Sequence, residues 1–129
     1  MNRRHLIILT ALVWLGGAST RAAQGTAAAL KNPIASSPES IAAGKQVYTR
    51  TCAPCHGTSG EGGPGNDLIP AAPDLTDATW DHGSTDGEIF TNIRDGIGPK
   101  FEMKGQKGKL MDNDIWNVVN YLKSLGPKK

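Results

Sequence analysis

Cys52, Ala53, Pro54, Cys55 and His56 place two thiols with two residues between them and an imidazole directly after the second thiol. The chain has no other cysteine. C-x-x-C-H is the c-type haem attachment signature. The spacing sets both sulfurs where they can add to the two vinyl groups of one porphyrin, and it carries His56 beneath the iron as proximal ligand. Three other chemistries use such residues. A thioredoxin-like redox pair needs a βαβ framework. A zinc site would have to recruit His82 beside Cys52, Cys55 and His56, without the usual separation between ligand pairs. A structural disulfide across C-x-x-C suits an exported chain.

The elements that must position this motif are helices. Ser37 is a helix N-cap with Pro38 at the first position, and Ile41, Gly44, Val47 and Tyr48 share one face, which predicts a helix from Pro38 to about Thr51. Residues 57–73 hold too many glycines and prolines for regular structure and read as a long loop. Residues 75–80 are expected to make one short helical turn. Thr85 and Glu88 have capping-box spacing before Ile89, Phe90 and Ile93, predicting a second helix that stops at Gly96. Residues 97–110 form another loop. Asp112 caps the last helix, whose apolar residues Ile115, Trp116, Val118, Val119, Tyr121, Leu122 and Leu125 precede Gly126 and Pro127. No run alternates as a strand does.

At the start of the chain, Arg3, Arg4 and His5 precede an apolar run, 6–15, and then Gly16, Gly17, Ala18 and Ser19. That order reads as a secretory signal peptide over residues 1–22, removed on export. The run is about half the length of a membrane-spanning helix, so no permanent membrane span is expected. Residues 23–36 read as a flexible lead and 37–129 as the folded domain. Removing residues 1–22 takes away Arg3, Arg4 and Arg21 and turns the net charge of +2 into about −1. Nucleic-acid binding has no support in such a balance. With 38% hydrophobic and 5% aromatic residues, the chain can build only a thin core, which a buried haem would complete.

Gly44 to Tyr48, C-A-P-C-H-G at 52–57, P-D-L at 73–75, D-G-E-I-F at 86–90 and D-I-W-N-V-V-N-Y-L at 114–122 together resemble the bacterial class I, mono-haem cytochrome c family. The resemblance runs from about Pro38 to Gly126. It implies an all-α, class I cytochrome c fold, with three main helices and long loops wrapped around one covalently bound haem c per chain. It further implies a methionine as sixth iron ligand: Met103, thirteen residues before Trp116, in preference to Met111, which sits where a capping residue is commoner. The resemblance gives Pro73 a backbone carbonyl facing the free N–H of His56, and Leu75 a place against the haem face. It brings Gly44 and Tyr48 to Val118 and Tyr121 where the first and last helices cross. Trp80 either donates its indole N–H to a haem propionate or fills core volume. His82 reads as a solvated loop histidine. Lys100, Lys104, Lys107 and Lys109 either ring the haem edge and steer an acidic partner, or form a solvated loop.

The expected role is electron transfer, not catalysis. Histidine and methionine would fill the iron's coordination sphere, and the soft thioether raises the potential. Single electrons would pass between exported or membrane-bound redox partners, a dehydrogenase or a terminal oxidase, in the periplasm. The chain would act as a monomer or as a subunit of a redox complex. The alternative is a haem enzyme or ligand-binding sensor with a weak sixth ligand.

Overall fold

The computed structural model describes residues 25–63, 71–99 and 103–126. The signal peptide expected over residues 1–22 and the side chain of Lys100 lie outside them. The elements are α1 (Pro38–Thr51), α2 (Ala53–His56), α3 (Asp86–Asp95), β1 (Gly96–Ile97), β2 (Met103–Lys104) and α4 (Asp112–Leu125). A helical stretch over residues 25–29 precedes them.

Helix α1 starts where Ser37 is expected to cap it. Ser37 is extended, Ser40 N–H donates to Ser37 Oγ at 3.2 Å, and Ser37 N–H donates to Ser40 Oγ at 3.0 Å. Two of the amides that a helix start leaves without partners are thereby satisfied. Its buried residues Ser40, Gly44, Val47 and Tyr48 recur at helical spacing and form one inward stripe. The buried face of α4 is broader, running over Ile115, Trp116, Val118, Val119, Asn120, Tyr121 and Leu122. It is broad because α4 packs against both α1 and α3.

At the α1–α4 crossing Gly44 lies against the backbone carbonyl of Asn117, and a Cβ there would collide with that oxygen and touch Tyr121 Cβ. Tyr48 and Tyr121 meet beside it with ring centroids 5.1 Å apart and tilted by 55°. The nearest atom to Gly44 belongs to Asn117, which the sequence does not single out, and not to Val118. Between α3 and α4, Phe90 stacks on Trp116 at 3.9 Å, and the Arg94 guanidinium stands 5.2 Å from the Phe90 centroid. Stacked aromatic pairs of this kind bury large apolar area between the two helices.

Several expectations need correction. The chain is mostly helical but carries a small antiparallel sheet, with Gly96 opposite Lys104 and Ile97 opposite Met103. Strands of two residues are too short to show the alternation by which strands are read in sequence. Residues 75–80 bend without becoming helical. Asp74 Oδ1 accepts both the N–H and the hydroxyl of Thr76, at 2.7 and 2.6 Å, and Asp77 Oδ1 accepts the Thr79 N–H at 3.0 Å. Such side-chain bonds offer the backbone an alternative to the helix ladder. The N-cap of α4 is Met111, with no side-chain cap, and Asp112 is the first helical residue. Residues 25–36, expected to be a flexible lead, make specific contacts: Ala27 and Leu30 lie against Gly87, and Asn32 Nδ2 donates to the Trp116 carbonyl at 3.2 Å.

Candidate haem-binding site

The motif occupies a single turn. Helix α1 closes with the Cys52 N–H donating to the Tyr48 carbonyl at 2.8 Å. The Cys52 carbonyl then accepts the N–H of Cys55 at 3.0 Å and of His56 at 2.9 Å, and these bonds make the short helix α2. The sequence reading had no separate helix here. It arises because Pro54, near its start, has no N–H to lose. Cys52, Cys55 and His56 are therefore carried on one rigid piece of backbone.

After His56 the chain reverses at Gly57, whose φ of 80° suits glycine. Its Cα faces the Glu61 side chain, which occupies the space a Cβ would take. The loop then runs back along its own start. Gly62 N–H donates to the His56 carbonyl at 2.8 Å, Gly63 N–H to the Ala72 carbonyl at 3.1 Å, and Leu75 N–H to the Gly60 carbonyl at 2.7 Å. Gly62, at φ 63°, lies close against the carbonyls of Ala72 and Pro73. These bonds bring Pro73 to His56.

Two opposing effects act on the His56 imidazole. Burial lowers its pKa from the ordinary histidine value, and the Pro73 carbonyl pulls it partly back. Burial dominates, which favours the uncharged ring. His56 Nδ1 is the buried side-chain nitrogen among the described residues that makes no well-formed hydrogen bond. The carbonyl thus stands within electrostatic reach of the ring without closing a bond of regular geometry. Burial also pushes the Cys52 thiol up to about 11, with the neighbouring Cys55 adding to the shift. Cys52 is half-buried, Cys55 is exposed, and the two are not joined in a disulfide.

Cys52, Leu75, Trp80 and Met103 are all half-buried and pack against the same apolar core. The Trp80 indole N–H donates to the Asp77 carbonyl over a long 3.4 Å. Met103 is held in β2 opposite Ile97, whereas Met111 is 74% exposed. His82 is exposed and is not brought to the cysteines; its backbone carbonyl accepts from Asn92 Nδ2 at 3.0 Å. Among the described residues no group of three or more His, Cys, Asp or Glu is placed to hold a metal ion by itself. Lys104, Lys107 and Lys109 are exposed on the loop after Met103. The sequence reading missed the fastening of this turn by Tyr48 and Glu61: the Tyr48 hydroxyl donates to the Gly57 carbonyl at 2.7 Å, and Glu61 Oε2 accepts the Ser59 N–H at 2.7 Å. The available signal was a tyrosine one helical turn before the first cysteine.

The donor set fits a covalently attached haem. Two thiols not linked in a disulfide share a turn with an imidazole, the buried Nδ1 of that imidazole makes no well-formed bond beside a carbonyl, and a thioether and an indole border the same core. The fold and this site together define a c-type cytochrome domain. The chain belongs to the family described as cytochrome c oxidase, cbb3-type, subunit III, whose model matches residues 39–122. It is 35% identical over 91 residues to the cbb3-type cytochrome c oxidase subunit FixP of Bradyrhizobium sp. strain ORS 278, covering 68% of this chain and 28% of that protein. It is 33% identical over 93 residues to the subunit CcoP of Rubrivivax gelatinosus, covering 71% of this chain and 28% of that one. The chain thus matches under a third of the length of these relatives. In fold it is similar to cytochrome cL of Methylophaga aminisulfidivorans, with a TM-score of 0.58, 22% identity, and coverage of 87% of this chain and 69% of that one. Among the described residues no helix is long and apolar enough to cross a membrane.

Proposed function

We propose that this protein is an exported, periplasmic electron carrier holding one haem c, and that it passes single electrons between redox proteins. The observation that carries the reading is the turn Cys52–His56, which sets two thiols and a half-buried imidazole, its Nδ1 out of solvent, on one fixed backbone beside the Pro73 carbonyl. When bound, the haem supplies a one-electron iron couple. Cys52 and Cys55 anchor it. A proton kept on His56 Nδ1 by the Pro73 carbonyl leaves the other ring nitrogen free to ligate, which fixes both tautomer and orientation. Met103 would supply a thioether as the second protein ligand, and its half-buried place against the core favours it over exposed Met111. Leu75 and Trp80 keep water from the site. A haem held by both His56 and Met103 would have no place for a substrate, so the role proposed is carriage and not catalysis. The partners proposed are a dehydrogenase on the donating side and a terminal oxidase or other respiratory complex on the accepting side. Relatives named as oxidase subunits support this choice.

The purified protein is expected to keep its pigment when extracted with acidified organic solvent, and Cys52→Ala with Cys55→Ala to lose it. Pigment extracted from the unmodified chain would sink the reading. In the ferric protein the faint near-red band of sulfur-to-iron bonding is expected to vanish in Met103→Ala and to persist in Met111→Ala. High-spin ferric haem in the untreated protein would favour a ligand-binding sensor or a haem enzyme.

A further inference from the structure

Tyr48 is fully buried. A phenol removed from water needs a partner for its hydroxyl, and this one donates to the Gly57 carbonyl at 2.7 Å. The Gly60 N–H reaches the same Gly57 carbonyl at a longer 3.4 Å. The main-chain carbonyl of Tyr48 accepts the Cys52 N–H at 2.8 Å. One residue therefore grips the segment from Cys52 to Gly57 at both ends.

Within that segment little is left to move. The Cys52 carbonyl takes the amides of Cys55 and His56, and the Gly57 N–H donates to the Ala53 carbonyl at 3.0 Å. The His56 carbonyl takes the Gly62 N–H. With Tyr48 on its carbonyl as well, Gly57 is held on both of its peptide groups, immediately beside His56. Packing of α1 against α4 needs an aromatic ring at position 48, and phenylalanine would supply the same ring. The hydroxyl reaches only toward the turn that follows His56.

We propose that Tyr48 is a positioning residue for the His56 imidazole: its hydroxyl locks the Gly57 peptide, so that the turn bearing Cys52, Cys55 and His56 keeps one orientation. This rests on the reading of His56 as the iron ligand. It goes beyond that reading by assigning to a core tyrosine on α1 a task that its ring alone does not perform.

The test compares holoprotein carrying Tyr48→Phe with the unmodified protein and with Tyr121→Phe, which removes a hydroxyl from the neighbouring ring. Covalent pigment is checked first in each, by extraction with acidified solvent. In Tyr48→Phe, amide hydrogen exchange at Gly62 is expected to quicken by ~10-fold or more, while amides in the middle of α4 keep their rates. The midpoint potential is expected to fall, because a loosened turn admits water, which favours the more highly charged ferric form. Tyr121→Phe should change neither. In the reduced, diamagnetic protein the Tyr48 hydroxyl proton is expected as a slowly exchanging resonance, a measurement that needs no variant. A potential and local exchange unchanged in Tyr48→Phe, an equal quickening throughout α3 and α4, or a hydroxyl proton in fast exchange would each overturn the proposal while leaving the haem reading intact. Pigment lost from the unmodified protein would instead overturn the haem reading, and this proposal with it.

Discussion

Cys52 and Cys55 belong to one motif but stand in different surroundings. The first is half-buried against the core, with its thiol pushed up to about 11; the second is exposed at the surface. The two methionines considered as ligands divide more sharply, Met103 being half-buried and paired across the hairpin while Met111 is 74% exposed. Met111 also occupies the N-cap of α4, where a side chain able to accept a hydrogen bond is preferred, and it makes no such bond. Met111→Ser is therefore expected to stabilise the protein by about 0.5–1 kcal/mol, read from denaturant unfolding, with no change in the ferric spectrum. A destabilised variant would mean that the thioether is making contacts its exposure denies. At this scale the sequence was most legible where chemistry is local. Cys52, Cys55 and His56 stand out by spacing, because bonding two sulfurs to one flat molecule, as proposed, would constrain adjacent residues. The proximity of Pro73 to His56 depends on three backbone bonds across a loop, and only a resemblance pointed to it.

Helix α3 begins as its sequence announces. Thr85 Oγ accepts the Glu88 N–H at 3.3 Å, and Glu88 Oε2 accepts from the Thr85 N–H at 3.0 Å and from its hydroxyl at 2.8 Å. Thr85→Ala is expected to cost about 1 kcal/mol in denaturant unfolding at neutral pH. The backbone and side-chain bonds from Thr85 hold the Glu88 carboxyl below the ordinary carboxylate value. A depressed folded pKa means that the folded state holds the ionised form more tightly than the unfolded chain does. The stabilisation is complete above the ordinary value of 4.5 and is lost as pH falls through the folded value. The stability gap between the unmodified protein and Glu88→Gln should accordingly close between about pH 6 and about pH 3. A gap that stays constant would show that the charge contributes nothing. Where the sequence misled, short-range competition was the cause. Asp74 and Asp77 turn their side chains onto nearby amides and keep 75–80 from becoming helical, and a hairpin of two residues per strand is too brief to leave a pattern.

Across the whole molecule the N-terminal stretch fastens elements that are far apart in sequence. Asn120 is a buried polar residue on the otherwise apolar face of α4. Its Nδ2 donates to the carbonyls of Ile34 and Ala35 at 3.1 and 3.3 Å and to Ser40 Oγ at 3.1 Å, while its Oδ1 accepts from Asn32 Nδ2 at 2.9 Å. Ser40 belongs to the first turn of α1, and Ala27 with Leu30 abuts Gly87 in the first turn of α3. Residues 25–36 thus join the starts of two helices to the middle of a third. Composition hid this, because a latch made by one asparagine leaves no periodicity and an Ala-, Ser- and Pro-rich stretch resembles free chain. Removing the Asn120 amide takes the donor from the half-buried Ile34 carbonyl and empties space on the buried face of α4, while Ser40 Oγ keeps its bonds to Ser37 and Ala35, so Asn120→Ala is expected to cost about 1–3 kcal/mol. Asn32→Ala, which leaves Asn120 its other partners, should cost about 1 kcal/mol. Because the two side chains bond each other, the double variant should be less destabilised than the sum by ~0.5 kcal/mol or more. Simple additivity in the unfolding midpoints would mean that Asn32 acts through the Trp116 carbonyl and the Ile34 N–H and not through Asn120, and that residues 25–36 do not depend on Asn120 for their hold on the domain.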